Sequence, residues 1–396
     1  MKKKQLHIVN KYFHPVVAGI ETCLLETYGR FNLEEWDITV HTSTDTLTDE
    51  NVLPNHDEVK GMRIIRYATV HGAFFPNIPW HDADVVLLNN FSLAPILPVI
   101  AYAFVLSLLG HKKTAIVLTP HGGFTPIWES FEPWKRIVKK CAHLVGGFLI
   151  NHTVDAVQAV AEWEKEQMIA EHINPALITV IPNGVEDIAF DKTADASPAI
   201  KQLASDVGSY VVMLSRVHPT KNIETAVNAM QYVQAPYRLL IMGRLEYPDY
   251  YEKLLNLVHN LDLEERVIFA DQVTGADKYY LLRHASLMLH TSKYEVDPIA
   301  VKEGLSQGIP AVCADNTGTA RLIKDGINGY LVPTNNHVQT AEKINFVIDN
   351  LKSPAVMAMK KHNKTAFAKY RWNKVVSDIE QLFIHIAPQW SLSYSS

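Results

Sequence analysis

Cysteine is scarce in this 396-residue sequence: Cys23, Cys141 and Cys313 are the three present, too far apart for a disulfide framework or a metal-ligand spacing. That scarcity indicates a reducing compartment. Positive charge is not in surplus either. With 37 Lys and Arg against 42 Asp and Glu the formal net charge is −5, which argues against bulk attraction to nucleic acid and leaves only local patches for a membrane. No low-complexity tract occurs, and 47% hydrophobic with 20% charged residues is the composition of a chain that folds throughout. The opening Met-Lys-Lys-Lys-Gln runs directly into an apolar stretch at 6–10, too short for a signal-peptide core, so a first strand and a cytoplasmic location are expected.

Long hydrophobic runs are also few. One, residues 91–110 (FSLAPILPVIAYAFVLSLLG), carries no charge and has about the length a bilayer-spanning helix requires. Pro95 and Pro98 interrupt its first half, and strand-like runs at 84–89 and 114–118 flank it. It therefore reads as the crossover helix of a βαβ unit, buried or lying at an interface, rather than as a span.

What the sequence does contain is short β-branched apolar runs alternating with stretches of helical period, the pattern of parallel sheets covered by helices. The first series of strands is expected at 6–9, 36–42, 61–67, 85–88, 115–118, 156–160 and 178–181. A second follows at 210–214, 238–242, 267–270, 287–290 and 311–313. Between them, residues 186–206 have little apolar periodicity. The fold class is thus α/β, with Rossmann-like domains at 1–187 and 188–371 and a closing helical segment at 372–396.

Chemistry concentrates in the second half. Glu295 and Glu303 are separated by seven residues just after the strand at 287–290, where ligands of open α/β sheets bind. Asp297-Pro298 between them looks like a helix start, Asp297 as N-cap, which would leave the amides of Ile299, Ala300 and Val301 facing an anion. Glu303, a turn further in, suits hydroxyl groups. Arg216 ends the strand at 210–214 and Lys221 follows shortly. A guanidinium fork and an ammonium placed there can neutralise a diphosphate.

In the first half, Gly19 lies in the loop after the first strand, where a missing side chain lets backbone amides approach a ligand. His121, flanked by Gly122 and Gly123 after the strand at 115–118, should project from a strand end into a site. A helix-period stretch at 134–149 combines Lys135, Arg136, Lys139 and Lys140 with Trp134, Leu144, Val145, Phe148 and Leu149. It is either a domain helix with a solvated basic face or a peripheral contact with an anionic membrane. Asp82-Ala-Asp84 has the form of a metal-binding pair but precedes a strand at its entering end, so no metal role is assigned.

These elements occur in a familiar order: Pro15-Val-Val-Ala-Gly-Ile-Glu21, Thr119-Pro-His-Gly-Gly123, Val180-Ile-Pro-Asn-Gly-Val185, Leu214-Ser-Arg216 with Lys221, the spaced glutamates, and Asp325-Gly-Ile-Asn-Gly-Tyr-Leu-Val-Pro333. In that order the chain resembles glycosyltransferase family 4 of the GT-B superfamily over nearly its whole length. The resemblance implies two domains facing across a cleft, the first binding acceptor and the second nucleotide-sugar, with the final helix returning to the first. It implies a retaining transfer of a hexose from a UDP- or GDP-linked donor to a saccharide or an envelope lipid-linked acceptor, with no cofactor and no metal. Arg216 and Lys221 would bind the diphosphate, Glu303 the ribose, Glu295 and His121 the transferred sugar. Two other readings share the architecture: a nucleotide-sugar epimerase or phosphorylase-like enzyme, and a non-catalytic partner subunit.

The pattern departs from the family's at three places. Val296-Asp297-Pro298 stands where the family has Gly-Phe-Gly, Ala18-Gly19 replaces paired glycines, and Arg321 occupies an expected acidic position.

Overall fold

The computed structural model describes residues 2–16, 19–46, 53–111, 114–124, 132–191 and 193–387. Ala18, the segment 388–396 and the remaining positions lie outside the described residues. Chain contacts divide the molecule into two compact units, Met1–Gly184 with Trp372–Ser396, and Val185–Arg371.

The first unit holds an eight-stranded sheet: β1 Lys4–Val9, β2 Trp36–Ser43, β3 His56–Val59, β4 Met62–Tyr67, β5 Val85–Asn89, β6 Ala115–Thr119, β7 Ala156–Ala159 and β8 Ile178–Val180. Their spatial order is β3-β4-β2-β1-β5-β6-β7-β8. All neighbours are parallel except β3 and β4. The strand expected at 61–67 is β4, and the antiparallel β3 beside it was not among the expected strands. The turn between them, Lys60-Gly61, has positive φ at both residues (49° and 75°), the twist that two-residue hairpin loops require.

β5 and β6 are buried at every position, which is why they read as unbroken apolar runs. The uncharged stretch after β5 forms a helix over only Ile96–Leu108. Among the described residues no helix is long and apolar enough to cross a membrane. The last helix, Trp372–Ile386, belongs to this unit and drives Phe383 among the rings of Tyr28, Phe31 and Trp36, with centroids 6.0–6.4 Å away. Gly184 lies so close to Trp372 that a Cβ there would fall 2.4 Å from the indole.

The second unit holds six parallel strands: β9 Tyr210–Leu214, β10 Arg238–Met242, β11 Val267–Ala270, β12 Leu287–His290, β13 Ala311–Asp315 and β14 Gly329–Pro333, ordered β11-β10-β9-β12-β13-β14. Successive side chains face opposite sides of the sheet and build two cores. Val211, Met213, Leu239 and Ile241 enter one, and Tyr210, Val212, Leu240 and Met242 the other. In both sheets the strand order reverses once near the middle, between β1 and β5 and between β9 and β12. At such a point the loops leaving two neighbouring strands diverge, and a ligand crevice opens beyond their carboxyl ends.

Candidate functional site

The β9/β12 reversal gathers the charged residues of the second unit. After β9 the chain makes a tight turn at Pro219–Lys221, begun by His218, whose Nδ1 accepts the Thr220 amide at 3.1 Å. Asn222 follows with φ of 54°, a left-handed conformation that Asn tolerates better than most residues. The loop after β12 holds this turn in place. The Thr291 hydroxyl lies 3.0 Å and 2.9 Å from the Lys221 and Asn222 carbonyls, and the Lys293 amide donates to the Thr220 carbonyl at 2.9 Å.

Lys221 is thereby aimed across the reversal. Its Nζ lies 2.6 Å from Glu295 Oε1, and the same oxygen is 3.1 Å from Nε2 of the buried His290. Burial pushes the Glu295 carboxyl upward, but the Lys221 ammonium and the His290 ring outweigh it, and the group stays ionised far below the usual carboxylate range. The loop carrying Glu295 is pinned from the β13 side. The Asn316 amide donates to the Ser292 carbonyl at 2.7 Å, the Thr317 hydroxyl donates to the Glu295 carbonyl, and a Cβ on Gly318 would lie 2.8 Å from that same carbonyl.

Arg216 leaves β9 on the neighbouring side, where its guanidinium pairs with Glu246. Arg244 stands 3.9 Å from the other Glu246 oxygen. Gly243 permits this approach, since a Cβ there would lie 2.0 Å from the Ser215 carbonyl. His218 feels both expected cations: burial and Arg216 lower its pKa, Glu246 opposes them, and Lys221 adds to the lowering. Each of the two residues read from sequence as diphosphate ligands is therefore paired with a carboxylate.

The helix after Glu295 corrects one expectation. It spans Ile299–Ser306 with Pro298 as its N-cap, and Asp297 does not cap it. Pro298, at φ −76° and ψ 82°, makes an inverse γ-turn in which the Ile299 amide donates to the Asp297 carbonyl at 2.9 Å. The Val301 amide donates to the Pro298 carbonyl at 3.0 Å. Of the three amides expected to face an anion, Ile299 and Val301 are consumed by the turn, and Ala300 alone has no backbone acceptor among the described residues. The Asp297 carboxylate pairs instead with the buried Lys302 ammonium.

Glu303 sits in this helix, and its Oε1 accepts from Lys278 Nζ at 2.6 Å and from the Tyr279 hydroxyl at 2.8 Å. Lys278 also reaches Glu186 at 2.9 Å. Burial, then Glu303, raise the Tyr279 hydroxyl well above its ordinary value. Glu303 was expected to take the ribose hydroxyls of a donor; its Oε1 is occupied here by Lys278 and Tyr279.

The β1/β5 reversal of the first unit carries a chain of neutral side chains, with the buried carboxylates of Glu21 and Glu164 beside it. Asn10 follows β1, Asn89 ends β5 and His121 follows β6. Asn10 Nδ2 lies 2.5 Å from the Tyr12 carbonyl, which can only accept, so Asn10 Oδ1 is left to accept from Asn89 Nδ2 at 3.2 Å. Asn89 Oδ1 then faces His121 Nε2 at 3.0 Å and must receive its proton. The chain fixes the His121 tautomer, with Nδ1 as an acceptor. Burial lowers the ring pKa to about 4, which keeps it neutral near pH 7. The left-handed pair His121-Gly122 is held by the buried Glu164, which takes the Gly122 amide at 2.5 Å and the Val160 amide at 2.8 Å.

Gly19 opens the helix Gly19–Tyr28, and among the described residues outside its chain neighbours and own helix backbone nothing lies within 4 Å of where a Cβ would stand. Asp84 accepts the Gln5 amide at 2.8 Å, a structural use of that carboxylate.

Comparison with known proteins completes this description. Residues 17–187 match the family model "Glycosyltransferase Family 4" and residues 199–364 match "Glycosyl transferases group 1". The chain is 26% identical over 197 residues to alpha-monoglucosyldiacylglycerol synthase of Streptococcus pneumoniae, covering 48% of this chain and 43% of that enzyme. It is 23% identical to GDP-mannose:cellobiosyl-diphosphopolyprenol alpha-mannosyltransferase of Komagataeibacter xylinus, covering 96% and 92%. In several curated relatives the shared stretch spans about half of the relative's length. Among solved structures, Anabaena HepE in complex with UDP superimposes with a TM-score of 0.73 at 19% identity, over 96% of this chain and 99% of that one.

Proposed function

Because the chain belongs to the group 1 and family 4 glycosyltransferases, with their GT-B fold, we propose that it transfers a hexose with retention from a UDP- or GDP-linked donor to a hydroxyl of a saccharide or lipid-linked acceptor. The second unit holds the donor and the first unit the acceptor. The observation that carries this reading is the 2.6 Å approach of Lys221 to Glu295, a cation and an ionised carboxylate together at the β9/β12 reversal, the kind of crevice in which open α/β sheets bind ligands. Support also comes from relatives whose names specify GDP-mannose and glycolipid substrates, and from fold neighbours in complex with UDP and UDP-glucose.

In the reaction the bond from the sugar's anomeric carbon to the diphosphate oxygen breaks and a bond to the acceptor oxygen forms on the same face. The acceptor proton passes to the departing diphosphate. Lys221 and Arg216 offset the charge that builds on that leaving group, an interaction strongest in the transition state. Glu295 orients hydroxyls of the transferred sugar, Glu303 the ribose, and the Ala300 amide meets the anion. His121 accepts a sugar hydroxyl at Nδ1.

The test is Lys221→Ala in purified protein, after a melting-temperature screen of UDP- and GDP-sugars identifies the donor. Transfer should fall about 100- to 1,000-fold, the loss typical when one charge-stabilising group is removed. Turnover equal to that of the unaltered protein would reject the assignment.

A further inference from the structure

Strand β12 interrupts its own apolar run at its last residue. Leu287, Met288 and Leu289 are buried hydrophobics of the two cores of the second unit, and His290, which follows them, is only 1% exposed. Alternation along the strand sends His290 to the same side of the sheet as Met288, so an apolar side chain there would extend that core. The ring is bonded at one nitrogen. Its Nε2 lies 3.1 Å from Glu295 Oε1, while Nδ1 is buried without a hydrogen-bond partner among the described residues. A buried ring nitrogen with nothing to bond costs folding free energy that a leucine would not, and such costs are retained where the group serves a site.

The carboxylate shows what is served. An ionised carboxylate can only accept, so the ring carries its proton on Nε2. Oε1 thus receives two donors, His290 at 3.1 Å and Lys221 at 2.6 Å, and Oε2 receives none among the described residues. The two donors differ in freedom. Lys221 is an ammonium on a flexible stem with 18% of its side chain exposed, whereas the His290 side chain is 2% exposed and fixed by the sheet. The Glu295 carbonyl is held separately by Thr317, which leaves Lys221 and His290 to fix the carboxylate itself.

We propose that His290 is a positioning residue that keeps Glu295 in place when Lys221 exchanges this carboxylate for a donor phosphate. On the donor reading given above, on which this role rests, an ammonium that neutralises a leaving diphosphate has to turn away from Glu295. A carboxylate with no second partner would then swing toward it or into solvent. With the Nε2 proton still on Oε1 the side chain stays where it is, and Oε2 is left to take a hydroxyl of the transferred sugar. In this arrangement His290 touches neither nucleotide nor sugar and acts through Glu295 alone.

A double-mutant cycle tests it, reading the release of UDP from UDP-glucose and of GDP from GDP-mannose by the purified full chain with water as acceptor. His290→Leu should lower kcat about 10- to 100-fold, the loss that follows when a contact group is misplaced by about 1 Å, and shift the donor KM by less than about threefold. His290→Gln, whose amide reaches about as far as Nε2, should restore most of the rate, whereas His290→Asn, whose amide stops short of Oε1, should not. In a Glu295→Ala background His290→Leu should have no further effect. An equal loss in that background, or no rescue by His290→Gln, would show that the ring only supports the strand and would overturn the proposal, as would an unchanged kcat in His290→Leu. Calorimetry separates the two possible failures. A chain that binds neither UDP nor GDP defeats the donor reading and this role with it, while nucleotide binding with a kcat indifferent to His290 defeats this role alone.

Discussion

The two sheets reverse their strand order in the same way and furnish the reversal with opposite chemistry. At β9/β12 the side chains are ionic: Lys221 with Glu295, Arg216 with Glu246, Lys278 with Glu303. At β1/β5 amides and a neutral imidazole, Asn10, Asn89 and His121, are joined in one chain of hydrogen bonds, and the nearby carboxylates Glu21 and Glu164 take amide protons. Charge accompanies a nucleoside diphosphate, whereas a sugar or a glycolipid presents hydroxyls. The difference agrees with a division of labour in which one unit manages the charge of a leaving group and the other orients a neutral nucleophile.

The largest way to test this contrast is acid. His7, His41, His121 and His143 are all in the first unit, and burial lowers their pKa values from 6.5 to about 4, 3, 4 and 4. A histidine whose folded pKa is depressed contributes stability above about 6.5 that disappears as pH falls toward its folded value. The first unit should therefore lose its fold between about pH 6.5 and 4. Glu295, held ionised by Lys221, does not take up protons in that window. None of the seven tryptophans falls within 185–371, so tryptophan fluorescence follows the first unit alone. Its transition should precede the far-ultraviolet circular dichroism change of the whole chain; coincident transitions would break the comparison.

A smaller effect is expected at the buried ionic pair. Lys278→Met leaves Glu303 in low dielectric with Tyr279 as its one remaining side-chain donor among the described residues, and should cost about 3 kcal/mol in denaturant unfolding. A loss under about 1 kcal/mol would mean that the pair is solvated.

Glu246→Gln should do least to stability, within about 0.5 kcal/mol, because Arg216 is partly exposed. By releasing the guanidinium it should nevertheless tighten UDP binding in calorimetry. Weaker binding would show that Glu246 positions Arg216 rather than restrains it.

Much of this arrangement was legible in the sequence, because buried parallel strands leave unbroken apolar runs and strand ends are where ligands collect. β9 and β12 were readable in that way, as was the position of Arg216, Lys221 and Glu295 shortly beyond their ends. β3 was not, since its side chains are largely exposed and carry no apolar alternation, and the Lys60-Gly61 turn was its one local mark. β14 follows a glycine turn and ends in Pro333, which masked its strand character. The partners Glu246, Lys278 and His290 lie 30, 25 and 5 residues from Arg216, Glu303 and Glu295, and spacing alone does not announce which carboxylate a cation meets. The amides of Ile299 and Val301 were misread because Asp297 looked like a cap, while Pro298 bends the chain into a γ-turn first.

The pairing of Lys221 with Glu295 and of Arg216 with Glu246 means that the crevice proposed for the donor is close to electroneutral when empty. Chloride or inorganic phosphate has little to gain there, because a bare anion must compete with a carboxylate already in contact. A ligand that brings ribose and sugar hydroxyls along with its phosphates can satisfy the displaced carboxylates in return. On the proposed reading, the internal ion pairs would filter ligands, favouring molecules that carry both halves of the exchange.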